Sequence, residues 1–448
     1  MDAGRTSAPP AVVEKAASVP GLLLRQAVER GTDVAMRDRH RGRWRETTWL
    51  QYAQRTARTG LALAELGIRP GDRVAILARN RPEWVIADLA IQGIGAISVG
   101  ICPTLAASEV QRLIGHSGAR MLLAEDEEQA EKVPAVRDRL TELQRIVVMD
   151  AGVFGSSAVP RLASFSELEG AVPERHAVED WADHAERLDP GSIATIVYGT
   201  GTTGSSGGVM LTHANLTWAA ATLREALGAR PNDNLVAADS LCRIVERVAS
   251  VATAVDAGYV VHFGERDSFP QELRDVQPTL LVVAGQVWEA LLAGDGSRTA
   301  DIRSGGARPV DALLRRSERK RLGLSRVRVA LATHPMAPEV LDAFLGMGVE
   351  VREAYGRCEN TFICTLAAPG AGRPGTVGQV LAGVEVQIVS DAEVLVRSPG
   401  VFAGYLADEP ATRAALDPSG WLRTGDLGMF DADGFLTITG TKRRMHPG

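Results

Sequence analysis

Tyr198-Gly-Thr-Gly-Thr-Thr-Gly-Ser-Ser-Gly-Gly-Val209 is the stretch on which the reading of this chain turns. It follows the apolar run Ile193 to Val197, which predicts a buried strand. It precedes Leu211-Thr-His-Ala-Asn-Leu216, where Thr212 is placed to cap a helix. Strand, glycine-rich loop and helix together make the layout of a phosphate cradle. Glycines let the backbone turn tightly and aim N–H groups at an anion, and Thr200, Thr202 and Thr203 add hydroxyl donors. Such a loop usually carries a lysine as a point charge, and Gly207 stands where that lysine is expected.

Three local patterns compete for this loop, beside the plain alternative of a glycine-rich surface turn. Gly199-x-Gly201-x-x-Gly204 matches a dinucleotide fingerprint, which needs an acid at the end of the next strand. The acid at that distance, Glu225, falls inside the helical pattern Trp218–Leu227. Gly204-x-Ser206-x-Gly208 matches a nucleophile elbow, but its serine should directly follow the strand, and several loop residues intervene. A loop wrapped around a nucleoside triphosphate is the third reading.

Composition narrows the field. A chain of 448 residues suggests two or three domain-sized units with a substantial core. Its net charge of −6 supplies no basic footprint for nucleic acid. Lysine is confined to Lys15, Lys132, Lys320 and Lys442, which limits lysine-dependent chemistry. Cys102, Cys242, Cys358 and Cys364 form no CxxC pair, so reduced thiols and a cytoplasmic location are expected. The histidines lack metal-ligand spacing. Residues 1–20 contain no apolar signal core, and the stretch from Trp84 to Ala106 reads as a buried helix followed by a strand rather than a membrane span.

Strand and helix patterns alternate along the chain, which predicts α/β architecture with mostly parallel sheets. Val74–Leu77, Met121–Ala124, Ile146–Met149, Tyr259–Phe263, Thr279–Val283 and Val327–Leu331 are expected strands, and Glu83–Ile94 a helix after Pro82. Residues 151–190 read as a polar surface connection, and 294–309 as a loop. Beyond Gly370 the alternation in Val384–Val389, Glu393–Arg397 and Phe435–Thr439 predicts a small antiparallel or barrel-like unit. The expected organisation is a flexible arm (1–21), a first α/β subdomain (22–190), a second carrying the glycine-rich loop (191–370), a small β-barrel (371–440) and a stub (441–448).

The loop resembles the Tyr-Thr-Ser-Gly-Thr-Thr-Gly-x-Pro-Lys-Gly motif of adenylate-forming (AMP-binding) enzymes. Tyr355-Gly-Arg-Cys-Glu359 resembles their Tyr-Gly-x-Thr-Glu motif. Trp421-Leu-Arg-Thr-Gly-Asp426 matches Trp-x-x-Thr-Gly-Asp, and Gly434 to Gly440 resembles the strand leading to the family hinge. Arg81-Pro-Glu-Trp84, Cys102-Pro-Thr104 and Ile244-Val-Glu-Arg247 look like the long-chain fatty acyl-CoA synthetase branch. The likeness covers about residues 22 to 445 and implies the large N-terminal part of such an enzyme.

That resemblance implies ATP with Mg²⁺ and a fatty acid as substrates, and CoA by kinship only. Thr200, Gly201, Thr202, Thr203 and Gly204 would contact phosphates, with Thr202 and Glu359 the expected catalytic residues. Glu359, a hard carboxylate, would meet Mg²⁺. Tyr355 and Gly356 would border the adenine, and Asp426 would accept the ribose hydroxyls. Trp288 and Trp421 read as packing residues.

Four positions depart from the family pattern: Ser206-Gly207 for Pro-Lys, Arg243 for a histidine, Ala332-Thr-His-Pro335 for Gly-Ala-Ala-Pro, and Thr441 for the hinge arginine. The family's small C-terminal domain, which brings a further lysine, has no counterpart in these residues. The expected activity is therefore long-chain acyl-AMP formation, impaired. The alternatives are an inactive nucleotide-binding paralogue, or half of a split synthetase partnered by a separate C-terminal-domain chain.

Overall fold

A computed structural model describes residues 18–133, 142–150, 162–199, 207–264, 269–293 and 309–442. The chain builds two large sheets and one small one. The first sheet runs, edge to edge, Gly404–Tyr405, Val209–Thr212, Ile193–Val197, Ile97–Ile101, Arg73–Leu77, Met121–Ala124, Arg145–Val148 and Leu162–Ser164. The second runs Gln379–Val380, Thr365–Leu366, Val351–Tyr355, Val329–Ala332, Leu280–Val283, Asn234–Val236, Val260–Phe263, Val34–His40 and Arg43–Thr48. Both are parallel at their centres; the first turns antiparallel only at its Gly404–Tyr405 edge and stays parallel at the other, and the second is antiparallel at both edges. The third holds Glu385–Ile388, Glu393–Arg397, Leu422–Phe430 and Leu436–Thr441, all antiparallel.

The central strands read as continuous apolar runs because helices cover both of their faces. Alternation then sorts their side chains. Val74 and Ile76 enter a central core shared with Leu235, Val261 and Leu280 of the second sheet and with Trp49, Trp84 and Trp181 between them. Ala75 and Leu77 point the other way, against Val110 and Leu113. Leu281 and Val283 face an outer cluster with Trp288 and Phe344. Local chemistry sets the helix starts. Pro82 opens Pro82–Gly93, where its missing N–H costs nothing. Thr212 accepts from the Asn215 amide while the Asn215 side chain returns to the Thr212 amide, opening His213–Leu227.

Several expectations need correction. The segment after the glycine-rich loop is a strand, Val209–Thr212, antiparallel to Ile193–Val197. The helix starts at His213 under a Thr212 cap, as expected, but with this strand before it the loop joins two strands and does not open onto a helix N-terminus. The alternating pattern of Val209-Met-Leu-Thr212 prevails there. Residues 162–190 are structured: Ser164 caps Phe165–Ala171, and Ala177–Ala185 buries Trp181 completely. The first helix, Val19–Arg30, is capped by Ser18 and starts inside the expected arm. Sheet membership does not change at residue 190 either. Ile193–Val197 and Val209–Thr212 lie in the first sheet, while Val34–His40 and Arg43–Thr48 lie in the second.

One buried clamp joins the two large layers. Arg247 donates through Nε to Asp88 Oδ2 at 3.0 Å, through Nη1 to Thr195 Oγ1 at 2.6 Å, and through Nη2 to Asp88 Oδ1 and to Ser98 Oγ. Its guanidinium lies 5.1 Å from the centre of the Trp84 ring. The Arg247 and Asp88 side chains are 2% and 1% exposed, so their charges depend on one another. A second link is covalent. Cys102 and Cys242, 140 residues apart with Cα atoms 5.4 Å apart, form a disulfide, against the expectation of four reduced thiols. No spacing rule signals a pair that only the fold brings together.

Candidate functional site

Parallel strands direct their carboxyl ends to one edge, where open α/β sheets bind ligands. A cleft of about 660 Å³ opens there. Arg79 and Asn80 follow Arg73–Leu77, Pro103 and Thr104 follow Ile97–Ile101, and Asp239 and Ser240 follow Asn234–Val236. Its cations are engaged: Arg79 Nε donates to Glu125 at 2.8 Å, and Lys132 Nζ donates to the Pro103 and Leu105 carbonyls at 2.6 and 3.0 Å.

At the carboxyl end of Val351–Tyr355 the motif residues converge. Tyr355 is 8% exposed and packs in a cluster with Cys364, Val377, Val394 and Leu436. Its hydroxyl donates to Asp426 Oδ2 at 2.7 Å. Burial first, and Asp426 beside it, hold this phenol well above its ordinary pKa, so it keeps its proton and donates. Asp426, itself 6% exposed, lies on Leu422–Phe430 of the small sheet. Gly356 follows, and a Cβ there would overlap the Phe362 carbonyl oxygen, so no other residue fits without moving that turn. Thr361 and Phe362 adopt φ of 53° and 80°, left-handed values unusual for such side chains.

Glu359 lies in the short 3₁₀ turn Cys358–Asn360. Its Oε1 accepts from the Tyr405 hydroxyl at 2.8 Å. Burial, with Glu359 adding to it, pushes the neighbouring Cys358 thiol up to about 12, so it stays protonated at neutral pH. Tyr405 also explains Gly207: a Cβ at Gly207 would lie 3.1 Å from the Tyr405 ring, tighter than ordinary contact. The aromatic ring takes the space into which a side chain at Gly207 would start.

Sequence reasoning overlooked Arg357, between Gly356 and Cys358. Its Nη1 donates to both oxygens of Asp426, at 2.9 Å each, and its Nε lies 3.6 Å from Glu359 Oε2. Burial would lower this guanidinium, but Glu359 and Asp426 outweigh burial and hold it above its ordinary value. The only signal was its position inside the quoted motif. Thr441 Oγ1 also donates to Asp426 Oδ1, at 3.0 Å.

The other positions sort plainly. Thr200, Gly201, Thr202, Thr203, Gly204 and Ser206 lie outside the described residues, whereas Tyr198, where the loop leaves its strand, bonds the His116 ring nitrogen at 2.9 Å. Arg243 pairs with Asp239 at 3.4 Å. Lys442 pairs with Asp391 and Glu393 at 2.6 and 2.8 Å. Glu225 is exposed on the helix His213–Leu227. Trp288 is buried and donates to the Leu331 carbonyl, and Trp421 stacks under Arg397. Among the described residues, no group of three or more His, Cys, Asp or Glu is arranged to hold a metal ion, and no helix is long and apolar enough to cross a membrane.

Comparison with known proteins agrees with this layout. The profile of the AMP-binding enzyme family matches residues 23–406. A long-chain-fatty-acid–CoA ligase of Xenopus laevis is 27% identical over 95% of this chain and 63% of its own length, so the chain spans less than two thirds of that relative. The Mycobacterium tuberculosis enzyme of the same description is 30% identical over 90% of this chain and 71% of its own. Among solved structures, a long-chain-fatty-acid–CoA ligase from Archaeoglobus fulgidus superposes with a TM-score of 0.79 at 19% identity, covering 98% of this chain and 86% of that one. An anthranilate CoA ligase holding anthranoyl-AMP gives 0.77 at 23% identity, covering 95% and 77%. Carrying the family's motifs in order on the family's fold, the chain belongs to the AMP-binding, adenylate-forming enzymes, on their long-chain fatty acyl-CoA synthetase branch.

Proposed function

We propose that this chain binds ATP and activates a long-chain fatty acid as its acyl adenylate. The observation that carries the reading is the cluster of Tyr355, Glu359 and Asp426. Tyr355 ends a strand of the second sheet and Glu359 sits in the turn just after it, whereas Asp426 comes from the distant small sheet; the Tyr355 hydroxyl bonds Asp426, and Arg357 links Asp426 to Glu359. A fatty-acid carboxylate oxygen attacks the α-phosphorus, a P–O bond forms, and pyrophosphate leaves with the electrons of the broken P–O bond. No side-chain nucleophile is required, and the protein's work is positioning and charge stabilisation.

In this reading Asp426 accepts the ribose hydroxyls, and Tyr355 and Gly356 border the base. Thr200, Gly201, Thr202, Thr203 and Gly204 line the triphosphate, with Thr202 donating to the reacting phosphates. Glu359 would hold Mg²⁺. It offers one hard carboxylate, which suits an ion that arrives on the nucleotide's phosphates better than a resident site with a full protein cage. Mg²⁺ would supply neutralisation of phosphate charge. CoA as acceptor in a second step rests on kinship alone, and a cytoplasmic site rests on the expected reduced thiols, of which the Cys102–Cys242 bond removes two.

A second reading has specific support: an AMP-binding protein that binds nucleotide and does not turn over. Gly207 supplies no cation, and Arg357 already occupies Asp426. Removal of one transition-state donor costs about 10²–10³ in rate. Nothing in the structure favours a separate partner chain.

The test is pyrophosphate release by the purified protein with Mg-ATP and a panel of fatty acids, with acyl-AMP identified by mass spectrometry. Acyl-AMP above an Asp426→Ala, Glu359→Ala double variant supports the enzyme, and adding CoA then asks for acyl-CoA. ATP binding by calorimetry without product supports the second reading. Absence of both would refute the nucleotide function.

A further inference from the structure

We propose that Arg357 gates nucleotide recognition by occupying the position on Asp426 that the vicinal diol of a ribose would take. The inference deepens the nucleotide reading above and rests on it. A carboxylate offers about four lone-pair positions, two on each oxygen. All four on Asp426 are used. Oδ1 accepts from Arg357 Nη1 at 2.9 Å and from Thr441 Oγ1 at 3.0 Å. Oδ2 accepts from Arg357 Nη1 at 2.9 Å and from Tyr355 at 2.7 Å.

A vicinal diol that donates to both carboxylate oxygens needs one free position on each. Arg357 is the donor that holds one on each, and its removal opens that pair while Tyr355 and Thr441 stay. The guanidinium is also the more accessible side of the contact, with its side chain 31% exposed against 9% for Asp426. A ligand that reaches Asp426 therefore meets Arg357 first.

The backbone argues that the side chain is what moves. The Arg357 amide donates to Asn360 Oδ1 at 2.7 Å, and Asn360 is fully buried, which anchors the main chain. The guanidinium has a second partner within reach, Glu359 Oε2, 3.6 Å from Nε. That pair already exists, and with its side chain 31% exposed the guanidinium turns toward water when it leaves Asp426, so the displaced charge is not stranded. As a consequence the ribose hydroxyls contribute little net affinity in the native protein. Each hydrogen bond they make to Asp426 replaces one that Arg357 gives up.

The experiment compares ATP with 2′,3′-dideoxy-ATP by calorimetry, on the native protein and on Arg357→Met and Arg357→Gln. The native protein should bind the two nucleotides within about three-fold of each other. The variants should prefer ATP by about ten-fold or more, the scale of a freed hydrogen bond to a charged group. A native preference for ATP already at ten-fold overturns the gate, with no variant needed. Variants that show the native ratio overturn it as well. If neither nucleotide binds any of the proteins, the nucleotide reading itself fails and the gate falls with it. Binding of both nucleotides with the wrong ratios removes the gate alone.

Discussion

Replacing Arg247 with methionine should expose how the two large layers are held. Methionine keeps most of the side-chain length and removes every donor. Asp88, 1% exposed, would lose both guanidinium contacts and keep the Gln92 amide at 2.9 Å. Thr195 Oγ1 and Ser98 Oγ would lose their guanidinium contacts as well. Breaking a buried pair from one side strands a charge and costs about 3–5 kcal/mol. Removing both charges should be far milder, so Asp88→Leu combined with Arg247→Met should recover most of that loss. The double-mutant cycle should return a coupling of about 2 kcal/mol or more. Urea unfolding followed by tryptophan fluorescence reads all four corners, since Trp84 lies against the guanidinium. A single-variant loss below about 1 kcal/mol, or a double variant as unstable as either single one, would refute the clamp. The motif Ile244 to Arg247, met in the sequence as a branch signature, would then have no structural explanation.

Three further predictions concern the same walls. Burial pushes the Glu246 carboxyl up to about 8 from 4.5, so between those pH values the unfolded chain is ionised while the folded one holds its proton. Wild-type stability should fall across that window, by at most about 1.4 kcal/mol per pH unit, and level off above it. Glu246→Gln should remove that slope, and parallel stability–pH profiles for the two proteins would contradict the assignment. Gly356→Ala forces a methyl group into the Phe362 carbonyl and should cost about 3 kcal/mol, the upper end of overpacking, together with ATP affinity. An unchanged thermal midpoint would show that the turn yields. The Cys102–Cys242 link closes a 140-residue separation, and its removal should cost about 2–4 kcal/mol. Reductant and Cys242→Ser should lower the midpoint equally, and a midpoint indifferent to both would mean the bond contributes nothing.

Much of the fold was legible because its signals are local. Apolar runs such as Ile193–Val197 and Met121–Ala124 became strands at the expected residues. Pro82 and Thr212 mark helix starts through their own backbone chemistry. The quoted motifs carried family membership, since chemistry on phosphate and ribose calls for particular residue types in a particular order. Strand pairing is a different matter, because a partner is chosen by the whole layer. The sequence therefore could not place Val34–His40 beside Val260–Phe263, across more than half the chain. For the same reason the sequence shows Val209–Thr212 only as a lead into a helix, although it pairs back onto Ile193–Val197.

The candidate site divides along the same line. Tyr355, Glu359 and Asp426 could be named from the sequence because each residue type states what it can donate or accept. Whether those groups are free is decided by whatever packs against them. Arg357 on Asp426, Tyr405 on Glu359 and against Gly207, and Cys102 on Cys242 are contacts between distant segments. The sequence by itself determined the family, many of the central strands and the chemical vocabulary of the site. The tertiary structure alone decided which carboxylates are already satisfied, since hydrogen-bond saturation is a property of neighbours in space.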